Sequence, residues 1–207
     1  VDRLFEFIIS QQSDDKEIVN KQLNNNINKI AWSFMTDLVF SHNDLLGGNI
    51  LYLSDTKEIK FVDFEYGSYN YRAFDFANHF CEYAGFDCDW KKHFPDKDHI
   101  KQFVNDYIEA LVNNEEYCKN VNENVINVFK KENNFTDKDY DEFLNNCHEI
   151  IIIFTAIDHY FWGLWGVVQS KHSPIDFDFT QYANDRLISG YQYSQTLLPD
   201  YLKFVKK

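Results

Sequence analysis

The chain has 207 residues, 44% of them hydrophobic and 18% aromatic, which is enough for one large domain with a packed core. Only 7 glycines and 3 prolines argue against a linker-rich protein, and a formal net charge of −13 disfavours binding to nucleic acid or to an anionic membrane. The 4 cysteines (Cys81, Cys88, Cys118 and Cys147) show no CxxC spacing and no zinc-like grouping with histidine, which favours reduced thiols in a cytoplasmic protein.

The first predicted elements are a helix and a β-hairpin. Apolar residues recur at roughly helical spacing over residues 16–35. Residues 38–40 predict a short strand. The segments NILYL and EIKFVDFEY, separated by a polar turn at residues 54–57, then predict the two strands of a hairpin.

The rest of the chain is predicted to be helical. A helix from Phe74 should stop at Gly85, and further helices are expected at about 98–113, 121–131 and 180–196. Together with the hairpin, these elements predict an α+β fold that is mostly helical, with a small β element at its edge.

A long apolar stretch lies between the last two of these regions. Thr136 is a plausible N-cap for a helix over 137–148, and an apolar helix over about 149–171 should follow until His172-Ser173-Pro174 ends it. A bilayer span here would place Asp158 near the membrane centre, at a cost of about 2.5–3.5 kcal/mol. A buried helix of a soluble protein is therefore the prediction.

The segment FSHNDLLGGNILY carries an unusual density of polar residues between apolar ones. It contains His42-x-Asp44-x-x-x-x-Asn49, and Val62-Asp63-Phe64-Glu65 follows at the end of the hairpin. Phosphoryl transfer needs one carboxylate near the attacking hydroxyl and hard oxygen ligands for Mg²⁺ on the nucleotide. One loop can supply Asp44 and Asn49, and the hairpin can return Asp63 to the same edge.

Three segments resemble the C-terminal lobe of choline/ethanolamine kinases and occur in the same order: FSHNDLLGGNILY, KFVDFEYGSYNYRAFDFANHFCEYAG and FWGLWGVVQSKHSPIDFDFTQYA. The similarity covers most of residues 38–190, and YNYRxFDxANHF is its highly specific part. The resemblance implies a protein-kinase-like C-lobe that transfers the γ-phosphoryl group of ATP to an amino-alcohol, with Mg²⁺, in phospholipid head-group synthesis.

The resemblance also implies roles for individual residues. Asp44 matches the catalytic base, Asn49 and Asp63 match Mg²⁺ ligands, and Glu65 matches a further acid beside the metal. His42 and Asp75 match residues that support the catalytic loop. Asp75 does so by capping the backbone N–H groups of the loop.

A second group of residues is aromatic and acidic. Trp162 and Trp165 are three residues apart and share a helix face, although aromatic residues at this spacing are ordinarily core. The resemblance instead implies a pocket in which aromatic faces and a carboxylate attract a cationic head group. Its aromatic positions are Trp162, Trp165, Phe177, Phe179 and Tyr182, and its acidic rim is Tyr66, Asn78 and Glu82.

The sequence leaves more than one substrate and activity open. HNDLL, HFCEYAG and the FDF at 177–179 are nearer to ethanolamine kinases, because choline kinases often carry Tyr at the position of Phe179. Ethanolamine is therefore favoured, with choline as the alternative. A kinase of the aminoglycoside-phosphotransferase type and a non-catalytic pseudokinase that binds alkylammonium ligands are further alternatives.

Such kinases also have an N-terminal ATP-binding lobe with a Gly-rich loop and a Lys–Glu pair, and neither is found in this sequence. We therefore expect residues 1–207 to form the C-terminal lobe, with activity belonging to the intact protein. The expected ligands are ATP, Mg²⁺ and a small amino-alcohol, without nucleic acid or stable membrane insertion. A homodimer is left open.

Overall fold

The computed structural model describes residues 27–114 and 136–205, with side chains up to residue 195. Predictions for residues 16–26 and 121–131 lie outside these ranges. The helices are α1 (Ile27–Met35), α2 (Arg72–Cys81), α3 (Trp90–His93), α4 (Lys97–Val112), α5 (Asp137–His172) and α6 (Phe179–Val205). The strands are β1 (Leu38–Ser41), β2 (Ile50–Leu53), β3 (Glu58–Phe61) and β4 (Ser68–Tyr71). The α+β prediction is confirmed.

The strands form two antiparallel pairs within the described ranges. The predicted hairpin is confirmed as β2 and β3, with Ile50 opposite Phe61. Strand β4 was not predicted. Its SYNY sequence is short and becomes a strand by pairing with β1, where Ser41 lies opposite Ser68, and a local pattern does not reveal such a long-range contact. This second pair places the start of β1, at Leu38, opposite Tyr71 at the end of β4, where α2 begins.

Helix α5 is the centre of the core and packs against α1, α2, α4 and α6. Fully burying one large apolar side chain contributes about 1.5–3 kcal/mol. Buried apolar residues from five helices therefore hold the helical part together; among them are Phe34, Phe80, Ile100, Phe143, Ile150 and Phe154, with Ala183 on α6.

The predicted helices at 137–148 and 149–171 are one continuous helix, α5. The prediction of two helices was wrong because this segment has no Gly or Pro before Gly163. A capping box begins α5: Asp139 N donates to Thr136 Oγ1 at 3.2 Å, and Thr136 N donates to Asp139 Oδ2 at 2.7 Å. It ends at His172, as predicted. By length and composition α5 could cross a membrane, but 67% of its most apolar window is buried inside the protein.

Helices α5 and α6 approach closely where α5 carries glycine. A Cβ at Gly163 would lie 2.8 Å from Leu187 Cγ, and one at Gly166 would lie 3.1 Å from both Ala183 Cβ and Tyr182 Cδ1. The approach brings the aromatic residues of α5 against those at the start of α6.

Candidate active site

The loop after β1 is held by a carboxylate from α2. Asp75, in the first turn of α2, accepts backbone N–H groups from His42 at 3.1 Å and from Asn43 at 2.8 Å. Both bonds fix the loop at the point where Asn43 adopts a left-handed conformation, with φ of 64°. The capping of loop N–H groups expected of Asp75 is therefore present in the geometry.

Asn43 was not among the predicted site residues, yet its side chain connects the loop to the second strand pair. Its Nδ2 donates to Tyr66 O at 2.9 Å and to Ser68 Oγ at 3.0 Å, and its Oδ1 accepts from Asn70 Nδ2 at 2.8 Å. Asn tolerates a left-handed backbone better than most residues. The signal in the sequence was therefore the Asn itself, a residue type that tolerates the left-handed backbone at this point.

Asp44 and Asn49, both in the predicted catalytic loop after β1, are in direct contact. Asn49 Nδ2 donates to Asp44 O at 2.9 Å and to Asp44 Oδ2 at 3.3 Å. Burial and the negative charge of Glu82 raise the pKa of Asp44 to about 6; His42 and Asn49 oppose the rise and Asp63 adds to it. A carboxylate with such a pKa is well suited to accept a proton near neutral pH.

Two hydrogen bonds hold the residue before Asp63 against the catalytic loop. Val62 N donates to Asn49 O at 3.0 Å, and His42 Nε2 donates to Val62 O at 2.8 Å. Asp63 follows with φ of 63° and an exposed side chain. These bonds place Asp63 beside Asn49. The negative charge of Asp63 therefore adds to the raised pKa of Asp44. Glu65 lies two residues further on and is also exposed.

This edge presents oxygen donors suited to a hard cation. Because Asn49 contacts Asp44 through its amide nitrogen, its amide oxygen is left for another partner. With the exposed carboxylate of Asp63, it forms the carboxylate and amide donor set that Mg²⁺ prefers in proteins. The residues present fit a divalent cation.

The predicted aromatic residues form one connected cluster. Trp162 lies 5.3 Å from both Tyr66 and Trp165 between ring centroids, and Trp165 Nε1 donates to Tyr66 OH at 2.9 Å. Phe179 lies 5.6 Å from Trp165 and 4.9 Å from Phe177. The strand-side residue Tyr66 thus meets aromatic rings from α5 and from the start of α6.

Tyr182 completes this cluster, together with a ring that sequence reasoning missed. Tyr182 lies 5.9 Å from Phe177 and 6.1 Å from both Trp165 and Phe86. Phe86 is exposed and lies 5.3 Å from Phe177. The sequence did not indicate a role for Phe86, because the family resemblance added little from residue 86 onward.

Glu82 lies next to these rings, and a buried arginine binds it. Arg186 Nη2 donates to Glu82 Oε1 at 2.5 Å, Arg186 Nη1 donates to Asp158 Oδ2 at 3.0 Å, and Arg186 Nε donates to Tyr182 OH at 3.0 Å. Burial works against the charge of Arg186, but the carboxylates of Asp158 and Glu82 keep its pKa well above the usual value.

Sequence reasoning missed Arg186, although a signal was present. Arg186 is four residues after Tyr182, on the same face of α6, and both side chains are buried. Asp158 was noticed as an interruption of the apolar helix. A charge buried in a helix requires a partner, and Arg186 is that partner.

Asn78 was predicted to lie on the acidic rim of the pocket, but the structure places it in the interior. Its side chain is fully buried and bonded at both ends of the amide: Oδ1 accepts from Leu45 N at 2.7 Å, and Nδ2 donates to Asp158 Oδ1 at 3.1 Å. Asn78 thus joins the catalytic loop to Asp158 instead of facing a ligand.

Cys81 is far in sequence from the adjacent residues Asp158 and His159, but the structure places ligand atoms of all three within 4.8 Å of one another. The spacing of cysteines and histidines had indicated no such group. Arg186 Nη1 already lies 3.0 Å from Asp158 Oδ2 and 3.5 Å from His159 Nδ1. The cation that this group holds is therefore the guanidinium. Cys81, Cys88 and Cys147 are free thiols, and Cys118 lies outside the described ranges.

Known proteins resemble this chain in sequence. A probable ethanolamine kinase of Nematostella vectensis is 36% identical over 154 residues, which are 74% of this chain and 39% of that protein. Ethanolamine kinase 1 of Mus musculus is 35% identical over 152 residues, which are 73% of this chain and 37% of that protein. The chain thus spans well under half the length of these curated relatives.

Solved structures and a family profile agree with these relatives. A Plasmodium vivax ethanolamine kinase is 32% identical, with a TM-score of 0.54 over 79% of this chain and 36% of that chain. A choline kinase from Cryptosporidium parvum is 23% identical, with a TM-score of 0.56 over 94% of this chain and 54% of that chain, and shares the fold. The profile described as choline/ethanolamine kinase matches residues 6–191, and the chain therefore belongs to the choline/ethanolamine kinase family.

Proposed function

We propose that the intact protein transfers the γ-phosphoryl group of ATP to the hydroxyl of ethanolamine, forming phosphoethanolamine for phospholipid head-group synthesis. The observation that carries this proposal is the contact of Asp44 with Asn49, beside Asp63, within electrostatic range of Glu82 at the aromatic cluster. This arrangement supports a proposal in which the base, the metal ligands and the cation-binding pocket are adjacent. The relatives named ethanolamine kinase support the choice of reaction.

Asp44 orients the substrate hydroxyl and accepts its proton as the oxygen attacks the γ-phosphorus, and the bond from that phosphorus to the bridging oxygen breaks to release ADP. The hydrogen bond from Asn49 fixes the carboxylate, and the raised pKa of Asp44 brings its proton affinity closer to neutral pH. Positioning supplies most of the rate enhancement in this class of reaction, since little covalent chemistry falls to the protein. The rigid attachment of the loop to Asp75 serves that requirement.

Asn49 and Asp63 would hold Mg²⁺, and Glu65 is a further candidate ligand. When bound, Mg²⁺ neutralises negative charge on the phosphates of ATP. The bond from Val62 N to Asn49 O keeps the two ligand-bearing segments together.

The aromatic cluster with Glu82 would bind the ammonium group. Aromatic faces attract a desolvated cation by about 2 kcal/mol or more, and by about 0.5–1 kcal/mol at exposed sites. Ethanolamine also carries N–H donors, which need an acceptor such as the Glu82 carboxylate. Choline has no N–H donor and would rely on Trp162, Trp165 and the neighbouring rings. The carboxylate at the pocket therefore favours ethanolamine, with choline as the alternative.

A substrate panel tests the proposal. The intact protein is supplied with Mg²⁺ and ATP, and kcat/KM is measured for ethanolamine, choline and an aminoglycoside by quantifying the phosphorylated product. We expect ethanolamine to give the highest kcat/KM. A higher value for choline would assign a choline kinase, and phosphorylation of the aminoglycoside alone would assign the other kinase class. Head-group binding without any product would indicate a pseudokinase.

We also propose a cytoplasmic location and a function without nucleic acid or stable membrane insertion. The acidic composition, with a formal net charge of −13, supports this. Fractionation of cells that express the intact protein should recover it in the soluble fraction, and its mass in solution would show whether it forms a homodimer.

A further inference from the structure

A buried ion network lies behind the proposed ammonium pocket. The side chains of Arg186 and Asp158 have 0% of their surface exposed, whereas that of Glu82 has 10% exposed. Glu82 is thus the member of these two ion pairs that reaches toward solvent, and Arg186 approaches it from the protein interior.

The network continues from Glu82 to the catalytic loop through four hydrogen bonds. Arg186 links Glu82 Oε1, at 2.5 Å, to Asp158 Oδ2, at 3.0 Å. Asn78 Nδ2 donates to Asp158 Oδ1 at 3.1 Å, and Asn78 Oδ1 accepts from Leu45 N at 2.7 Å. Leu45 directly follows the proposed base. The path therefore joins the acid at the pocket to the backbone beside the reacting group.

The orientation of Arg186 is fixed by partners in three directions. Besides the two carboxylates, Tyr182 OH accepts from Arg186 Nε at 3.0 Å, and the guanidinium carbon lies 5.2 Å from the centroid of Trp90. A planar guanidinium can make these separate bonds at once, whereas a lysine ammonium acts as a single point charge. Glu82 is consequently bound to a group that has little freedom to move.

Stability alone is a poor reason for such a network. Desolvating an ion pair costs several kcal/mol per ion, and well-packed apolar residues of similar volume are often at least as stable. A buried arginine whose two carboxylates connect to a ligand pocket and to a catalytic loop instead indicates a role in alignment.

We propose that Arg186 is a positioning residue for the amino-alcohol. It holds one oxygen of Glu82, so that the other oxygen is presented to the ammonium group, and through Asp158 and Asn78 it keeps that acid in register with the loop that carries Asp44. The inference rests on the proposed function, because it assigns the ammonium group to Glu82.

The test compares Arg186→Lys with a matched variant, Arg72→Lys. Arg72 is also fully buried, but it bonds to Asp37 and to Tyr107, away from the pocket. In Arg186→Lys we expect the KM for ethanolamine to rise roughly tenfold to a hundredfold, because one hydrogen bond between charged groups is lost. The KM for ATP should be unchanged. Arg72→Lys should lower Tm without changing either KM.

Ligand binding gives a second readout that does not depend on turnover. Ethanolamine is titrated into the intact protein while its tryptophan fluorescence, to which Trp162 and Trp165 contribute, is followed. Arg186→Lys should raise the Kd by the same factor as the KM. If wild-type protein binds ethanolamine but does not phosphorylate it, the proposed function fails while the titration still tests Arg186. A lowered Tm with unchanged KM and Kd would overturn the inference and leave Arg186 a structural residue.

Asp158→Asn keeps the test possible if Arg186→Lys does not fold. This variant retains the shape of the side chain, but its amide has one oxygen in place of two. It therefore cannot accept from Arg186 and from Asn78 on separate oxygens. We expect a KM for ethanolamine that is severalfold higher, since one bond of the path is lost. Wild-type KM and Kd in a folded Asp158→Asn protein would contradict the positioning role.

Discussion

The carboxylate of Asp75 accepts the backbone N–H of Asn43 at 2.8 Å, across 32 residues of chain. The second oxygen of the same carboxylate accepts the N–H of His42 at 3.1 Å. A side chain in the first turn of α2 thereby holds the backbone of the proposed catalytic loop. The helix start and the loop form one unit.

Removing this carboxylate should destabilise the protein and displace the loop. For Asp75→Ala we expect the free energy of unfolding to fall by about 1.5–3 kcal/mol, since bonds to a charged group are lost and N–H groups are left unpaired. Turnover should fall as well, because Asp44 follows the released segment. Urea unfolding and kcat measure the two effects. Asp106→Ala, which removes an exposed carboxylate bonded to Gln102 on α4, is the control and should change stability by less than about 0.5 kcal/mol.

Asp63→Asn should abolish or nearly abolish turnover while preserving the fold. The side chain is exposed, and Asn tolerates the left-handed backbone at φ of 63°, so the substitution removes the charge without adding strain. Asp63→Ala would add about 1–2 kcal/mol of backbone strain and is the less selective variant. Assays at increasing Mg²⁺ concentration and a thermal melt provide the data. Wild-type kcat and Mg²⁺ dependence in Asp63→Asn would refute the proposed metal role.

Trp165→Leu should weaken binding of the head group. The change removes an aromatic face and the hydrogen bond to Tyr66 OH, so we expect the KM for ethanolamine to rise roughly twofold to thirtyfold, as for loss of about 0.5–2 kcal/mol. Trp165→Phe keeps a ring and should have the smaller effect. Tyr191→Leu, at an exposed position on α6, is a control for the loss of an aromatic residue. An equal KM in wild type and Trp165→Leu would remove Trp165 from the pocket.

Protonation of His148 should destabilise the protein at acidic pH. Burial, together with the positive charges of Lys97 and Lys101 on α4, lowers the pKa of His148 from the usual 6.5 to about 4. Between these pH values the unfolded state binds more protons than the folded state. The stability associated with neutral His148 is therefore fully present above pH 6.5 and is lost as the pH falls through about 4.

His148→Gln isolates this contribution. Asp44 and Asp158 have raised pKa values, which act with the opposite sign over much of the same range, so the informative quantity is the difference between variant and wild type. Chemical unfolding at a series of pH values from 7 to 4 should show a smaller loss of stability in the variant. Parallel curves for the two proteins would contradict the lowered pKa.

The parts of the fold that the sequence predicted correctly are those with a strong local signal. The hairpin β2–β3 and α4 each combine a regular apolar pattern with clear polar boundaries. Helix α6 begins where it was predicted to begin, but it continues to Val205, beyond the predicted end at residue 196. Strand β4 depends on β1, a partner about thirty residues earlier, and so had no local signature. Helix α5 was divided in two because its polar first half and apolar second half differ in composition, although the backbone has no reason to break there.

The predicted site residues were identified through motifs, and the contacts between them could not be. Spacing suggested that Asp44, Asn49 and Asp63 lie at one edge, and the bonds through Val62 provide the connection. The link between Arg186 and Glu82 spans 104 residues, which places it beyond any local pattern. Asn78 illustrates the same difficulty: the motif marked its position, and the fold directed its side chain into the interior.

The most direct test of this account is the kcat of Asp44→Asn in the intact protein with ethanolamine, ATP and Mg²⁺. The substitution keeps the size of the side chain and removes the base, so we expect kcat to fall by roughly 10²–10⁴-fold, with ethanolamine still bound in a fluorescence titration. A folded Asp44→Asn protein that phosphorylates ethanolamine at the wild-type rate would contradict the account.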